Sequence, residues 1–334
     1  MYTVREKFGK VIMSNGARTE YPRTRPRRRN RRGRVTGVRA SRRDRVLLWL
    51  AVVPAIAILG FAQAYPLLYS LWVSFQHWSL SESLTSQGFV GLANYTDLFA
   101  SPDFLSALRL SAIFLCTVPV ELAIGFLLAY FTQGDGLRMR VVRTVLIIPM
   151  IVAPIAVGTM FRLLLDPQSG FLVLAMHAVG LPDVNWLGSQ NPALVTVLGA
   201  DIWEWVPFSM ILYTAALTGL DQNLIEAAHL DGASSLQVIR RVIWPLMLPT
   251  SAVIGVFRVI DAFLVVDVIV SLTNGGPGTA TQTSALWIFY KAIQFFDLSQ
   301  AAAGSWLILV ICLLMAFAVL RLRGLAHRRL RGTR

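Results

Sequence analysis

The chain has 334 residues, 55% of them hydrophobic and only 15% charged, with a mean hydropathy of +0.59. Soluble domains carry roughly 25% charged residues, so this composition argues against an ordinary water-soluble enzyme and for a chain embedded in lipid. The formal net charge of +13 belongs to one tail: residues 1–45 hold 16 Lys/Arg against Glu6, Glu20 and Asp44, whereas from Val46 onward 15 basic and 15 acidic residues cancel.

That tail, with Arg27–Arg29 and Arg31–Arg32, is expected to be a disordered cytoplasmic segment, because blocks of like charge repel one another. Attraction to anionic lipid headgroups explains it more cheaply than nucleic-acid binding does. Its basic part is too long for a cleavable signal peptide, so it is not expected to be one. Next come six apolar stretches, each near the roughly 20 helical residues that cross a hydrocarbon core. They run Val46–Phe75, Ala107–Phe131, Val141–Leu165, Leu194–Leu220, Leu248–Leu272 and Ala301–Leu320. The expected fold class is therefore an all-α membrane protein of six transmembrane helices, spanning residues 46–320. Pro54 and Pro66 in the first stretch predict a tilt or kink. Cys116 and Cys312 lie within apolar runs, where they pack as small hydrophobes and imply neither a disulfide framework nor a metal site.

Basic residues set the orientation. Segments 1–45, 132–140 and 221–247, together with the tail 321–334, contain 16, 2, 2 and 6 Lys/Arg, while the alternate loops contain Lys291 alone. Both termini are therefore expected in the cytoplasm. Glu121 in the second span reads as an interhelical contact, and Arg162 near the end of the third can snorkel to headgroups.

Ionisable groups inside spans are expensive and mark candidate sites. The fourth span carries Asp201, Glu204 and Trp205, which share one helical face, and the fifth carries Arg258 and Asp261 three residues apart. Carboxylates and a guanidinium beside an aromatic ring suit a polyhydroxylated solute, because hydroxyls accept and donate while C–H faces stack on the ring. A purely structural Arg258–Asp261 pair, with Glu204 nearby, is the alternative. Trp203 reads as a lipid-facing or core residue.

Between these spans, residues 221–247 form a polar loop. Leu224–Leu230 is expected to be a short helix broken by Asp231-Gly232, with Ser234 capping a second helix over Leu236–Ile243. Pro245 should end or bend that second helix at the bilayer surface. The bend would present Glu226, Ala227 and Ala228 outward; an ordinary interfacial hairpin is the bland reading. After the fifth span, Gly275, Gly276, Pro277 and Gly278 form either a simple turn or a loop able to reach toward a docked protein. A phosphate-binding loop is missing, since Gly9-Lys10 is followed by Val11, and His77, His177, His229 and His327 are scattered without metal-ligand spacing.

The segment Glu226 to Pro249 resembles the EAA loop of binding-protein-dependent ABC importer permeases. Glu226, Ala227, Ala228, Asp231, Gly232, Ala233, Gln237, Pro245 and Pro249 stand where that family has them; Ile239, Val242 and Trp244 depart from it. Tyr65–Ser70, Phe89–Tyr95, Arg143–Pro149 and the Gly-rich Leu272–Gly278 extend the resemblance, the last toward the carbohydrate branch that moves maltose, trehalose and glycerol phosphate. The resemblance implies a transporter subunit of the bacterial cytoplasmic membrane with no catalytic site or cofactor of its own. A second, related permease, two ATPase subunits that bind ATP and Mg, and an extracytoplasmic solute-binding protein or lipoprotein would be its partners. It further implies an ATPase-coupling role for residues 226–228 and 231–233, and binding-protein contact for Gly275–Gly278. A permease for a non-sugar solute and a gradient-driven carrier are the alternatives.

Overall fold

In the computed structural model, residues 42–134 and 136–331 are described, so the basic N-terminal tail lies outside the described residues. Internal contacts divide the chain into two units, residues 1–58 and 59–334. The described part of the first is the N-terminal portion of helix α1 (Arg42–Val73), which runs unbroken through both Pro54 and Pro66. Among the described residues the secondary structure is helical, apart from the isolated antiparallel bridges Gln76↔Phe89 and Ser79↔Asp297.

The second span is built from α3 (Pro102–Phe114) and α4 (Thr117–Phe131), preceded by the short α2 (Ala93–Ala100). Ser101 caps α3 by accepting from the Phe104 N–H, and Pro102 occupies the first turn, where its missing N–H costs nothing. The third span, expected over Val141–Leu165, is a bent pair: α5 (Leu137–Ile151) and α6 (Pro154–Leu164) meet at 98°. Pro149 and Pro154 flank that break. The residue before a proline is pushed out of the helical region, and Ala153 is accordingly extended at φ −63°, ψ 136°.

After α7 (Phe171–Ala178), the fourth span is α8 (Gln190–Thr218). Then come α9 (Gln222–Leu230), α10 (Ser235–Val238), a π-helical turn (Ile239–Ile243) and α11 (Trp244–Leu264). Of the two alternatives for Pro245, ending or bending the helix, ending does not occur: the proline sits in the first turn of α11 after the π turn, and the helical run continues through it. The expected extent of the fifth span fails. The fifth span stops at Leu264, and Asp267–Leu272 is a separate helix, α12, beyond an extended Val265. The chain closes with α13 (Ser284–Ile293) and α14 (Leu298–Arg331).

Among the described residues, five helical runs are long and apolar enough to cross a membrane, and the bent pair α5–α6 raises the number to six. Two apolar cores stack along α8 and α11. One is built around Phe114, Ala200, Ala262 and Ile269, the other around Phe126, Met210, Tyr213 and Ile254. Tyr213 bonds Ser251 across the helices at 2.7 Å, and the earlier Asp201 meets the later Arg258, so α8 and α11 run antiparallel as neighbours. Large apolar side chains on α14, such as Leu313, Leu314 and Phe317, stay exposed, as a lipid-facing surface requires.

Two glycines set the closest approaches. A Cβ at Gly125 of α4 would lie 2.5 Å from the Ser209 Cβ on α8, and one at Gly158 of α6 would lie 2.6 Å from the Val268 carbonyl oxygen on α12. Gly199, by contrast, has nothing within 4 Å of such an atom. Gly125→Ala is therefore expected to cost about 1–3 kcal/mol by overpacking. Gly199→Ala should be neutral or stabilising by up to about 1 kcal/mol through helix propensity. Thermal melting of the detergent-purified protein checks the contrast, and equal melting temperatures for the two variants would refute it.

Candidate functional site

Three helices deliver one buried charge cluster. Thr117 and Glu121 lie four residues apart on α4, Asp201, Glu204 and Trp205 share a face of α8, and Arg258 and Asp261 share a face of α11. The Gly125 contact holds α4 against α8 one turn below Glu121, which brings the carboxylates of both helices within reach of Arg258.

The Arg258 side chain is fully buried. Its Nε donates to Glu121 Oε2 at 2.5 Å, and its Nη2 donates to both Glu121 Oε1 and Asp201 Oδ2 at 2.8 Å. Nη1 donates to Asp261 Oδ2. Asp201 also accepts from the Thr117 hydroxyl at 3.1 Å. The guanidinium carbon stands 4.6 Å from the centre of the Trp205 ring, a cation–π contact. Such planar, forked donation is a geometry that lysine cannot reproduce.

Asp201, Trp205, Arg258 and Asp261 thus come together as the sequence suggests. Glu204 stays on the same face, but its Oε2 is buried with no hydrogen-bond partner among the described residues. Glu121 is indeed an interhelical contact, and it takes the Arg258 fork with both oxygens. Thr117 escaped the sequence reading; its only signal is the four-residue spacing to Glu121. Trp203 remains 37% exposed and packs edge-on against Phe161, apart from the cluster.

The polar loop forms an elbow. Asp221 caps α9 by accepting from the Asn223 N–H at 3.0 Å. The helix then ends in a Schellman turn: Gly232 N–H bonds His229 O, and Ala233 N–H bonds Ala228 O, both at 3.0 Å. Gly232 sits at φ +80°, the left-handed region in which a side chain is strained. Gln237 reaches back to the Ser234 N–H at 2.8 Å, the return arm of a capping box. Glu226, Ala227, Asp231 and Gly232 are exposed, whereas Ala228 and Ala233 are half-buried against the lower core. Leu230 and Leu236 protrude, 89% and 73% exposed.

The glycine loop is folded down more than its composition suggests. Gly275 is buried and packs toward Leu286, and Tyr290 donates to Asn274 Oδ1 at 2.9 Å. Thr281 donates to the Gly276 carbonyl at 2.9 Å. Gly276 and Pro277 are half-buried, and Gly278 is exposed.

Removing Arg258 while leaving its partners strands several buried carboxylates. Arg258→Met is expected to cost about 3–5 kcal/mol, with Arg258→Lys losing less because it keeps the charge but not the fork. Denaturant titration in detergent micelles measures both; equal stability of Arg258→Met and the parent would refute the interlocking role.

Comparison with known proteins places these features in context. The family described as binding-protein-dependent transport system inner membrane component matches residues 121–332. A probable ABC transporter permease protein of Sinorhizobium fredii is 34% identical over 285 residues, covering 84% of this chain and 91% of the relative. The trehalose/maltose transport system permease protein of Thermococcus litoralis is 29% identical over 283 residues, covering 84% of this chain and 94% of the relative. In fold, a crystal structure of a bacterial ABC transporter that imports the acidic polysaccharide alginate superposes with a TM-score of 0.74 at 22% identity, covering 84% of this chain and 96% of that one.

Proposed function

This chain belongs to the family of binding-protein-dependent transport system inner membrane components, the permeases of ABC importers, and we propose that its solute is a sugar or related polyol. In this reading the 226–233 elbow faces the cytoplasm and rests in a groove on a separate ATPase subunit. A second, related permease completes the pathway, and two ATPase subunits bind and hydrolyse ATP with Mg. An extracytoplasmic solute-binding protein delivers the solute at the opposite face, where Gly278 and its neighbours are within its reach. The membrane is the bacterial cytoplasmic membrane, with both termini inside.

The observation that carries this reading is the elbow itself: a capped, exposed helix offering the Glu226 carboxylate, with Asp231 at its end, beside the projecting Leu224, Leu230 and Leu236. Apolar knobs around exposed carboxylates suit a partner groove that has a matching cation, because burial supplies affinity and the charge fixes the register. The helical run from Ser235 to Leu264 then joins the elbow to the Arg258 cluster. For the solute class, support comes from the relative named for trehalose and maltose, and from the Trp205 ring stacked on the guanidinium that also holds the partly exposed Asp261. An aromatic face beside a carboxylate is the pairing that a polyhydroxylated ring uses.

In the complete importer, Glu226→Lys is expected to lower solute uptake and solute-stimulated ATP hydrolysis by at least about 100-fold, the size of a lost buried charge pair. Gly232→Leu should act similarly by straining the turn and displacing the elbow. Membrane insertion should match the parent for both. Wild-type uptake by these variants, or uptake that persists without the ATPase subunits, would refute the docking role.

A further inference from the structure

The charge cluster has one open side. The Asp261 side chain retains 35% exposure, whereas those of Glu121, Asp201 and Arg258 retain 0%, 2% and 1%. On the same face of α11, Phe257 and Leu264 are 61% and 56% exposed, four residues before and three after Asp261. Phe257 meets Phe208 edge-on at 6.2 Å, and Phe208 meets Trp205 at 5.8 Å, so an aromatic wall borders the exposed carboxylate.

The chemistry of this wall is one-sided. Arg258 spends four of its hydrogen bonds on Glu121, Asp201 and Asp261. A guanidinium has five N–H donors, which leaves almost nothing to receive an anion. Glu204 adds a fourth carboxyl group: its Oε2 is buried without a donor, and it lies within electrostatic range of both Asp261 and Arg258. Four carboxyl groups therefore surround one guanidinium, so the cluster is net negative whenever more than one of them is ionised. Low-dielectric walls focus whatever negative charge remains. A buried acceptor without a partner also costs free energy that a donor from outside would recover.

We propose that this wall is a charge filter: the surface around Asp261 and Glu204 takes hydroxyl and ammonium donors and turns away anions. The solute is then a neutral or cationic polyhydroxylated molecule, as opposed to one bearing a phosphate, sulfonate or carboxylate. The inference rests on the pathway reading above and adds to it the sign of charge that can pass.

Thiol reagents of opposite charge test the filter without knowledge of the solute. Phe257→Cys is made in a Cys116→Ser/Cys312→Ser background, in right-side-out vesicles holding the complete importer, with Leu264→Cys read in parallel. The trimethylammonium-ethyl and sulfonato-ethyl methanethiosulfonates are compared, with rates normalised to those on free cysteine. The cationic reagent is expected to react about tenfold faster than the anionic one, a ratio typical of electrostatic focusing. Glu204→Gln should reduce that preference about two- to threefold while leaving the hydrogen-bonded fork intact. Equal rates, or a faster anionic reagent, overturn the filter while leaving the pathway reading standing. Cysteines at 257 and 264 that neither reagent modifies overturn the pathway reading, and the filter with it.

Discussion

A guanidinium withdrawn from water must be given partners, and most of this fold can be understood as the means of supplying them to Arg258. Its side chain is fully buried in a helical run long enough to cross a membrane. An unpaired charge there would cost several kcal/mol. Glu121 comes from α4, Asp201 from α8 and Asp261 from α11 itself, so three helices must hold a common register. Gly125 permits the necessary closeness of α4 and α8, and the Tyr213–Ser251 bond keeps α8 aligned with α11. Apolar packing above and below seals the cluster, with Ala262 in one core and Ile254 in the other.

The same helix that carries Arg258 begins at the elbow. From Ser235 to Leu264 it comprises 30 residues, about 45 Å at the α-helical rise. Force applied at α9 has a rigid path into the membrane, because the capping residues and the Schellman turn tie the elbow to the start of that run. Allosteric coupling needs two sites and an element that both can bias. In the docking reading proposed above, the elbow would be one site and the wall around Asp261 the other, with α11 as the element they share.

Much of this was legible in the sequence because its determinants are local. Apolar length marks the spans, and Asp231-Gly232 marks the end of α9. The charged residues were visible as exceptions inside apolar runs. What escaped depends on non-local packing. No periodicity says that Glu121 and Asp201 converge on the same guanidinium from different helices. The 98° bend between α5 and α6 was hidden because hydropathy counts apolar residues and is blind to the direction of the chain. Pro149 and Pro154 were the available warning. The fifth span was drawn too long for the same reason: Asp267–Leu272 is apolar, yet it packs beside α6, where Gly158 makes room for the Val268 carbonyl. Pro245 left ending or bending open, and the helix continues through it after a π turn.

That wide turn at Ile239–Ile243 has a consequence for how sequences of this kind can diverge. Successive helical residues advance by about 100° around the axis. One amino acid inserted or deleted between Trp244 and Arg258 would therefore swing Arg258 and Asp261 off their present azimuth and leave Glu121 facing hydrocarbon. Within the described run, the π turn is where a change of length can be absorbed as a change of winding. Chains that share this arrangement should therefore vary in length at the π turn and keep a constant count from there to the guanidinium.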